Sequence, residues 1–308
     1  MSNMHRRSFL KAAVTTALSA GIGRDSAALS DAAPAGMPTR RLGRTGFEAS
    51  IFSLGGMFTI QERDQRDAAL AIVNRALDLG VNYIDTAEAY GEGGSEENIG
   101  EVMRERRGEV FLATKTRERR ADRIAAELFE RSCERLQTDY VDLYFAHGVH
   151  TPDVLDEVLD RDAGAITAIE AFRDQGRIRH IGISSHSCAL LLQAMDQYDF
   201  DCVFITLNPA RLAMNHAEDL HKMLDMAAEK EVGVVAMKIF GGGGRIFDRA
   251  VRAEEAMRYA LSFPVCTASV GISSLEELEE NVRLAKAFKP YTDAELRQLE
   301  ARAMGQDA

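Results

Sequence analysis

From residue 49 onward, short apolar and β-branched runs alternate with longer stretches of helical spacing. The short runs fall at 51–54, 82–85, 110–113, 141–145, 178–183, 203–207, 232–237 and 266–270. Few polar residues interrupt them, as expected of parallel strands buried on both faces. Between them, segments 64–79, 95–106, 121–136, 163–175, 188–198, 216–229, 249–262 and 274–288 repeat apolar residues every three or four positions. In the first of these, Leu70, Val73, Ala76 and Leu77 share one face. Eight strands alternating with eight helices over about 250 residues predict an α/β fold of the (β/α)8 TIM barrel type. A doubly wound sheet would carry a Gly-x-Gly-x-x-Gly turn after an early strand, and none occurs there. Glycines cluster instead at Gly241–Gly244, after the seventh predicted strand, where barrels often bind phosphate.

The first 35 residues follow a different pattern. A basic start containing Arg6, Arg7 and Lys11 precedes a short Ala-rich apolar stretch from Ala12 to Ile22. A small-residue region follows and ends in Ala33-Pro34-Ala35. This is the order of a cleavable export signal. The paired arginines followed by Ser8-Phe9-Leu10-Lys11 resemble the twin-arginine (Tat) signal, which is read by a receptor and exports folded proteins. Residues 1–35 are therefore expected to engage the Tat machinery, with the barrel at 36–308 delivered to the periplasm or otherwise exported.

Composition narrows the partners. The net charge is −11 and the pI about 5.2, which argues against nucleic acid, since phosphate binding needs a basic face. No run of 18 apolar residues exists, so no permanent membrane span is expected. Cys133, Cys188, Cys202 and Cys266 form no CxxC and no metal-ligand cluster with His. They read as small buried hydrophobes, and no metal is predicted.

Barrel enzymes carry their chemistry at the C-terminal ends of the strands. The second predicted strand ends in Asp85 with Tyr90 in the loop beyond, the third runs into Lys115, and the fourth into His147. An ammonium beside a phenol stabilises the phenolate and lowers its pKa, and a carboxylate holds the ammonium in place. Tyr–Lys–Asp is thus a workable proton donor to a carbonyl, with a neutral His to orient the oxygen. Taken singly, each has an ordinary use: Asp85 as a helix cap, Tyr90 as a loop aromatic, Lys115 as a solvated lysine, His147 as a core histidine. Their placement at successive strand ends favours chemistry.

The run from Asp85 through Tyr90 to Glu96 resembles the aldo-keto reductase signature. So do Arg41 to Gly46, Ser53 to Gly56, Gly176 to Ser185, and Gly271 to Asn281. The similarity spans residues 38 to about 290. It implies a reductase or dehydrogenase that interconverts a small carbonyl compound (aldehyde, ketone or sugar) and an alcohol with NAD(P)H. Tyr90 would be the proton donor, Lys115 and Asp85 its tuners, and His147 the substrate orienter. Ser184 would contact the nicotinamide carboxamide. The backbone around Gly241, Gly242 and Gly243 would hold pyrophosphate, and Glu280 and Asn281 would bind adenine. The closing motif, with Gly271, Ser273 and Glu277, would border the cofactor.

Several positions depart from the family pattern. Ser185 stands where Asn is usual, Phe204 where a carboxamide-binding Gln is usual, and Met237 where an aromatic often stacks. Lys238 beside it either reaches phosphate or is solvated. No base occurs between Gly271 and Val282, where NADPH-preferring members pair the 2′-phosphate, so a strong NADPH preference is not expected. These departures leave a second expectation open, a cofactor-binding barrel acting as a redox sensor or partner subunit. Export adds one more expectation. Free nucleotide is scarce outside the inner membrane, so the protein would fold around its cofactor and travel loaded.

Overall fold

The computed structural model describes residues 36–306; the predicted export signal at 1–35 lies outside them. Two short strands come first, β1 (Thr39–Arg41) and β2 (Glu48–Ser50), paired antiparallel with Thr39 opposite Ser50. Eight parallel strands then close a barrel: β3 (Phe52–Phe58), β4 (Tyr83–Asp85), β5 (Phe111–Thr116), β6 (Val141–Ala146), β7 (Ile178–Ser185), β8 (Cys202–Thr206), β9 (Gly233–Met237) and β10 (Thr267–Ile272). Each pairs with its sequence neighbour, and β10 returns to β3. The predicted (β/α)8 barrel is therefore the fold observed.

Alternation along the strands sorts side chains into two cores. Inward residues such as Tyr83, Phe111, Leu143, Phe145, Phe204 and Val235 fill the barrel. Outward residues such as Ile84, Leu112, Tyr144, Ile183 and Val203 pack beneath the helices. The helix Arg66–Asp78 buries Ala69, Ile72, Val73, Ala76 and Leu77 there, the predicted stripe with Leu70 at its margin. The β1–β2 hairpin plugs the N-terminal end of the barrel, where Phe47 stacks on Phe111 at 4.7 Å between centroids. Its turn requires Gly43. The residue sits at φ +51, and a Cβ there would lie 2.3 Å from the Gly233 amide nitrogen. With that end plugged, the barrel interior opens at the C-terminal end. The four cysteines are buried and free, two inside the barrel and two under the helices.

Three helical features go beyond the predicted pattern. The segment 121–136 is interrupted by a π-helical stretch, Ile124–Leu128, because an extra residue is inserted into the ladder without breaking the amphipathic stripe. Pro152–Leu159 is a helix capped by Thr151, in the connection between a predicted strand and its predicted helix. Asp293–Ala303 adds a last helix with a Thr292/Glu295 capping box.

Candidate active site

The same inward parity that puts Tyr83 and Phe111 in the barrel core puts Asp85 and Lys115 at its open mouth, two and four residues further along their strands. Lys115 is 1% exposed, so the solvated-lysine alternative does not hold. Its Nζ donates to Asp85 Oδ2 at 2.5 Å, to the Thr86 carbonyl at 2.7 Å and to the Tyr90 hydroxyl at 3.4 Å. Asp85 caps no helix among the described residues. Tyr90 opens a short 3-10 turn, Tyr90–Gly93, whose carbonyls at Gly91 and Glu92 accept hydrogen bonds from Arg63. Arg63 is itself held by Glu97 at 2.7 Å. The His147 ring meets Tyr90 edge-on at 6.0 Å, and its Nδ1 is buried with no partner among the described residues. All four predicted residues thus meet at one mouth.

The electrostatics follow from burial in competition with the ion pair. Burial pushes the Asp85 carboxyl up to about 6, against the pull of Lys115. Burial opposes the charge on Lys115, yet Asp85 and Tyr90 outweigh it and hold its pKa above the ordinary value. At neutral pH the pair is ionised. Burial also holds His147 down to about 2, reinforced by the cations around it, so the imidazole is neutral. The sequence-based expectation for Tyr90 needs correcting. Burial raises its pKa by more than Lys115 lowers it, and the net direction is upward. Tyr90 is therefore a protonated phenol at neutral pH.

Two connected cavities open here. The larger, about 610 Å³, runs from Asp85 and Tyr90 along β10 to Ser273 and the Gly-rich loop, a volume ordinary for small-molecule sites. The smaller, about 320 Å³, lies between Tyr90, His147 and Ser184. Met237, Lys238 and Phe204 border both. Phe204, where a carboxamide-binding Gln is usual, forms an apolar floor beside Phe145, with Lys115 Nζ 5.2 Å from its ring centre.

The other predicted contacts divide. Gly242, Gly243, Gly271, Ser273 and Glu277 line the larger cavity. Gly241 does not; its amide closes a turn onto the Lys238 carbonyl. Ser184 faces the smaller cavity, where its Oγ accepts from the Gly148 amide at 3.0 Å. Ser185, one residue on, has the opposite parity, and its Oγ accepts from the Ser187 amide away from the cavities. Glu280 is turned to Arg283 at 2.6 Å rather than into the cleft. Asn281 is buried, and its Nδ2 has no partner among the described residues.

The residues missed include Met57 on both cavities, Phe58, Phe240 and Phe247 on the larger, and Arg117, Arg119, His150 and His186 on the smaller. Arg117 and Arg119 had a signal, since both follow Lys115 directly off the strand end.

Comparison with known proteins decides the family. The aldo/keto reductase family model matches residues 52–254, well over half of the chain. The chain belongs to the aldo/keto reductase family. Among its relatives, the uncharacterized oxidoreductase YqkF of Bacillus subtilis is 28% identical over 311 residues, covering 86% of this chain and 96% of that protein. The aldo-keto reductase YhdN of the same organism is 36% identical, over 54% of this chain and 51% of that protein. The solved structure of aldo-keto reductase AKR11C1 from Bacillus halodurans (holo form) superposes with a TM-score of 0.69 at 25% identity, covering 87% of this chain and 96% of that one. The protein is thus an aldo-keto reductase enzyme built on the family's barrel.

Proposed function

We propose that this aldo-keto reductase interconverts a small carbonyl compound and its alcohol with a nicotinamide nucleotide, Tyr90 acting as the proton donor. The observation that carries this reading is the buried Lys115, which joins Asp85 and the Tyr90 hydroxyl at the mouth beside His147. A bound reduced nucleotide supplies the hydride. Tyr90 supplies the proton to the carbonyl oxygen, so that carbonyl, hydride and proton together give the alcohol. Lys115 stabilises the phenolate left behind. Neutral His147 orients the oxygen through a ring nitrogen. Features of the larger cavity fit a dinucleotide. Gly242, Gly243 and Gly244 turn their backbone along it, and at Gly271 a Cβ would stand 2.6 Å from the Phe58 ring. Ser273 and Glu277 line the cavity beside the Ser274-capped helix N-terminus. Release of nucleotide from the denatured protein, titration with NADH and NADPH, and a carbonyl panel test the reading. No bound nucleotide and no binding would replace it with a sensor or partner-subunit role.

Two finer points belong to the same proposal. Glu277 lines the cleft and accepts the Ser273 amide at 2.8 Å. Arg283 is engaged by Glu280, and Arg245 Nε bonds the Gly241 and Gly242 carbonyls. A 2′-phosphate about 4 Å from the Glu277 carboxylate would cost on the order of 4 kcal/mol at an effective dielectric near 20, and less where solvated. The enzyme therefore does not strongly prefer NADPH, although a Klebsiella pneumoniae relative has been solved with NADPH. A tenfold lower dissociation constant for NADPH than for NADH would overturn this. Second, residues 1–35 direct Tat export, and the folded enzyme travels loaded with its nucleotide. Replacing Arg6 and Arg7 by Lys should retain the protein in the cytoplasm; unchanged export refutes the signal, and nucleotide exchange within seconds refutes the loaded state.

A further inference from the structure

The smaller cavity is more cationic than proton transfer requires. Besides Lys115, whose charge Asp85 balances, Arg117, Arg119 and Lys238 line it, and no Asp or Glu does among the described residues. None of these three forms an ion pair among the described residues. Glu118 and Glu157 lie close enough to temper Arg119 but line no part of the cavity. The chain as a whole carries −11, so this cluster runs against the protein's own balance.

Arg119 is placed rather than loose. Its Nη2 donates to the His147 carbonyl at 2.8 Å and to the Gly148 carbonyl at 3.3 Å, while Nη1 is buried without a partner. Its backbone is fixed too, since the Arg119 and Arg120 amides both bond Glu118 Oε1. Lys238 is held at φ +53, an uncommon conformation for a side-chain-bearing residue. Arg119 and Lys238 are half-buried and Arg117 is exposed; sheltered cations without a counter-charge are costly to maintain unless a ligand completes them. Lys238 borders both cavities and is open to cofactor phosphate as well, whereas Arg117 and Arg119 border only the smaller one. His150 and His186 complete the same wall, their rings tilted against each other with centroids 4.6 Å apart. Burial and these cations hold both histidines below their ordinary pKa, so they add hydrogen-bonding capacity without further charge.

We infer that the substrate of this enzyme is an anionic carbonyl compound, whose carboxylate or phosphate group is received by Arg119 and Arg117 on the His147–Gly148 side of the smaller cavity. The inference rests on the reading that Tyr90 protonates a carbonyl there and names the class of molecule that brings it. Arg119 lines the cavity, and an oxyanion there meets its guanidinium charge in a charge-assisted contact. A neutral aldehyde supplies no counter-charge.

The test compares matched pairs of carbonyls: succinic semialdehyde with its amide, para-carboxybenzaldehyde with para-formylbenzamide, and glycolaldehyde phosphate with glycolaldehyde. The expected result is kcat/KM at least about tenfold higher for the anion of one pair, carried mainly by KM and shrinking as salt is raised. The carboxylate pairs and the phosphate pair separate the two forms of anion. Arg119→Met should collapse the anion-to-neutral ratio toward one, and Arg119→Lys should restore part of it. Equal or higher kcat/KM for the neutral member of every pair overturns the inference and leaves the oxidoreductase reading standing. If no carbonyl turns over and no nucleotide binds, that reading falls instead. Calorimetric titration of the same protein with tartrate and inorganic phosphate then decides the inference: binding lost in Arg119→Met and retained in Arg119→Lys supports it, and no binding to the wild type overturns it. The titration also serves if Arg119→Met folds poorly, with Arg117→Met as the second variant.

Discussion

Replacing Asp85 by Asn removes the one carboxylate bonded to Lys115 among the described residues while leaving the volume of the site nearly unchanged. In the folded protein the ammonium would keep the Thr86 carbonyl at 2.7 Å and the Tyr90 hydroxyl at 3.4 Å but lose the 2.5 Å contact with the Asp85 carboxylate. At 1% exposure it has no access to water as a substitute. Breaking one side of a buried pair in this way costs about 3–5 kcal/mol, a large share of the stability of an ordinary domain. Lys115→Met is the reciprocal change, with a different pH signature. Burial already pushes Asp85 up to about 6 with Lys115 present, and without Lys115 it rises further. A carboxyl whose folded pKa exceeds its ordinary 3.8 binds more protons folded than unfolded, so stability falls as pH rises through that window. Lys115→Met should therefore be least stable, relative to wild type, above pH 6 and recover as pH drops. The double variant, Asp85→Asn with Lys115→Met, removes both charges. It should regain most of the stability lost by either single variant while losing turnover, because nothing then stabilises the Tyr90 phenolate. Urea unfolding at several pH values, with carbonyl turnover measured on the same samples, checks the set. Single variants within about 1 kcal/mol of wild type, or a double variant that keeps its turnover, would refute the buried-pair reasoning.

Tyr90→Phe should lower kcat by about 10²–10⁴-fold, the usual weight of a general acid, and leave nucleotide affinity nearly unchanged when measured by titration. The turnover rate should fall as pH drops below about 6, where Asp85 protonates and Lys115 loses its counter-charge; His147, held down to about 2, adds no step near neutrality. A pH–rate profile whose acid limb vanishes in a His147 variant would contradict this. Gly43→Ala forces a Cβ to within 2.3 Å of the Gly233 nitrogen at the plugged end of the barrel, so it should cost about 2–3 kcal/mol in denaturation while the folded fraction keeps its kcat. Burial holds Cys133 and Cys188 up to about 12 and raises the Cys202 and Cys266 thiols as well; a thiol reagent should therefore label the four only slowly before unfolding, and a fast-labelling cysteine in the native protein would be the contrary result.

Hydrophobic periodicity determined the barrel. All eight strands lie where the short apolar runs stand, because a strand buried on both faces tolerates few polar residues and its length is set by the barrel wall. The same periodicity brought Asp85, Lys115 and His147 to one rim, since strand ends in a parallel barrel share one edge. What the pattern left out was decided by contacts between distant parts of the chain. Parity alone separates Ser184, which faces the cavity, from its neighbour Ser185, which does not. Whether Tyr90 ends with a raised or a lowered pKa depends on how burial balances against Lys115, and burial is a tertiary quantity. The role of Arg119 was hidden for the same reason. It leaves the strand as one basic residue among several, and only carbonyls 28 and 29 residues further along the chain fold its guanidinium over the cavity. Local spacing encodes which face a side chain starts from, and the hydrogen bonds that complete a site come from segments that spacing does not join.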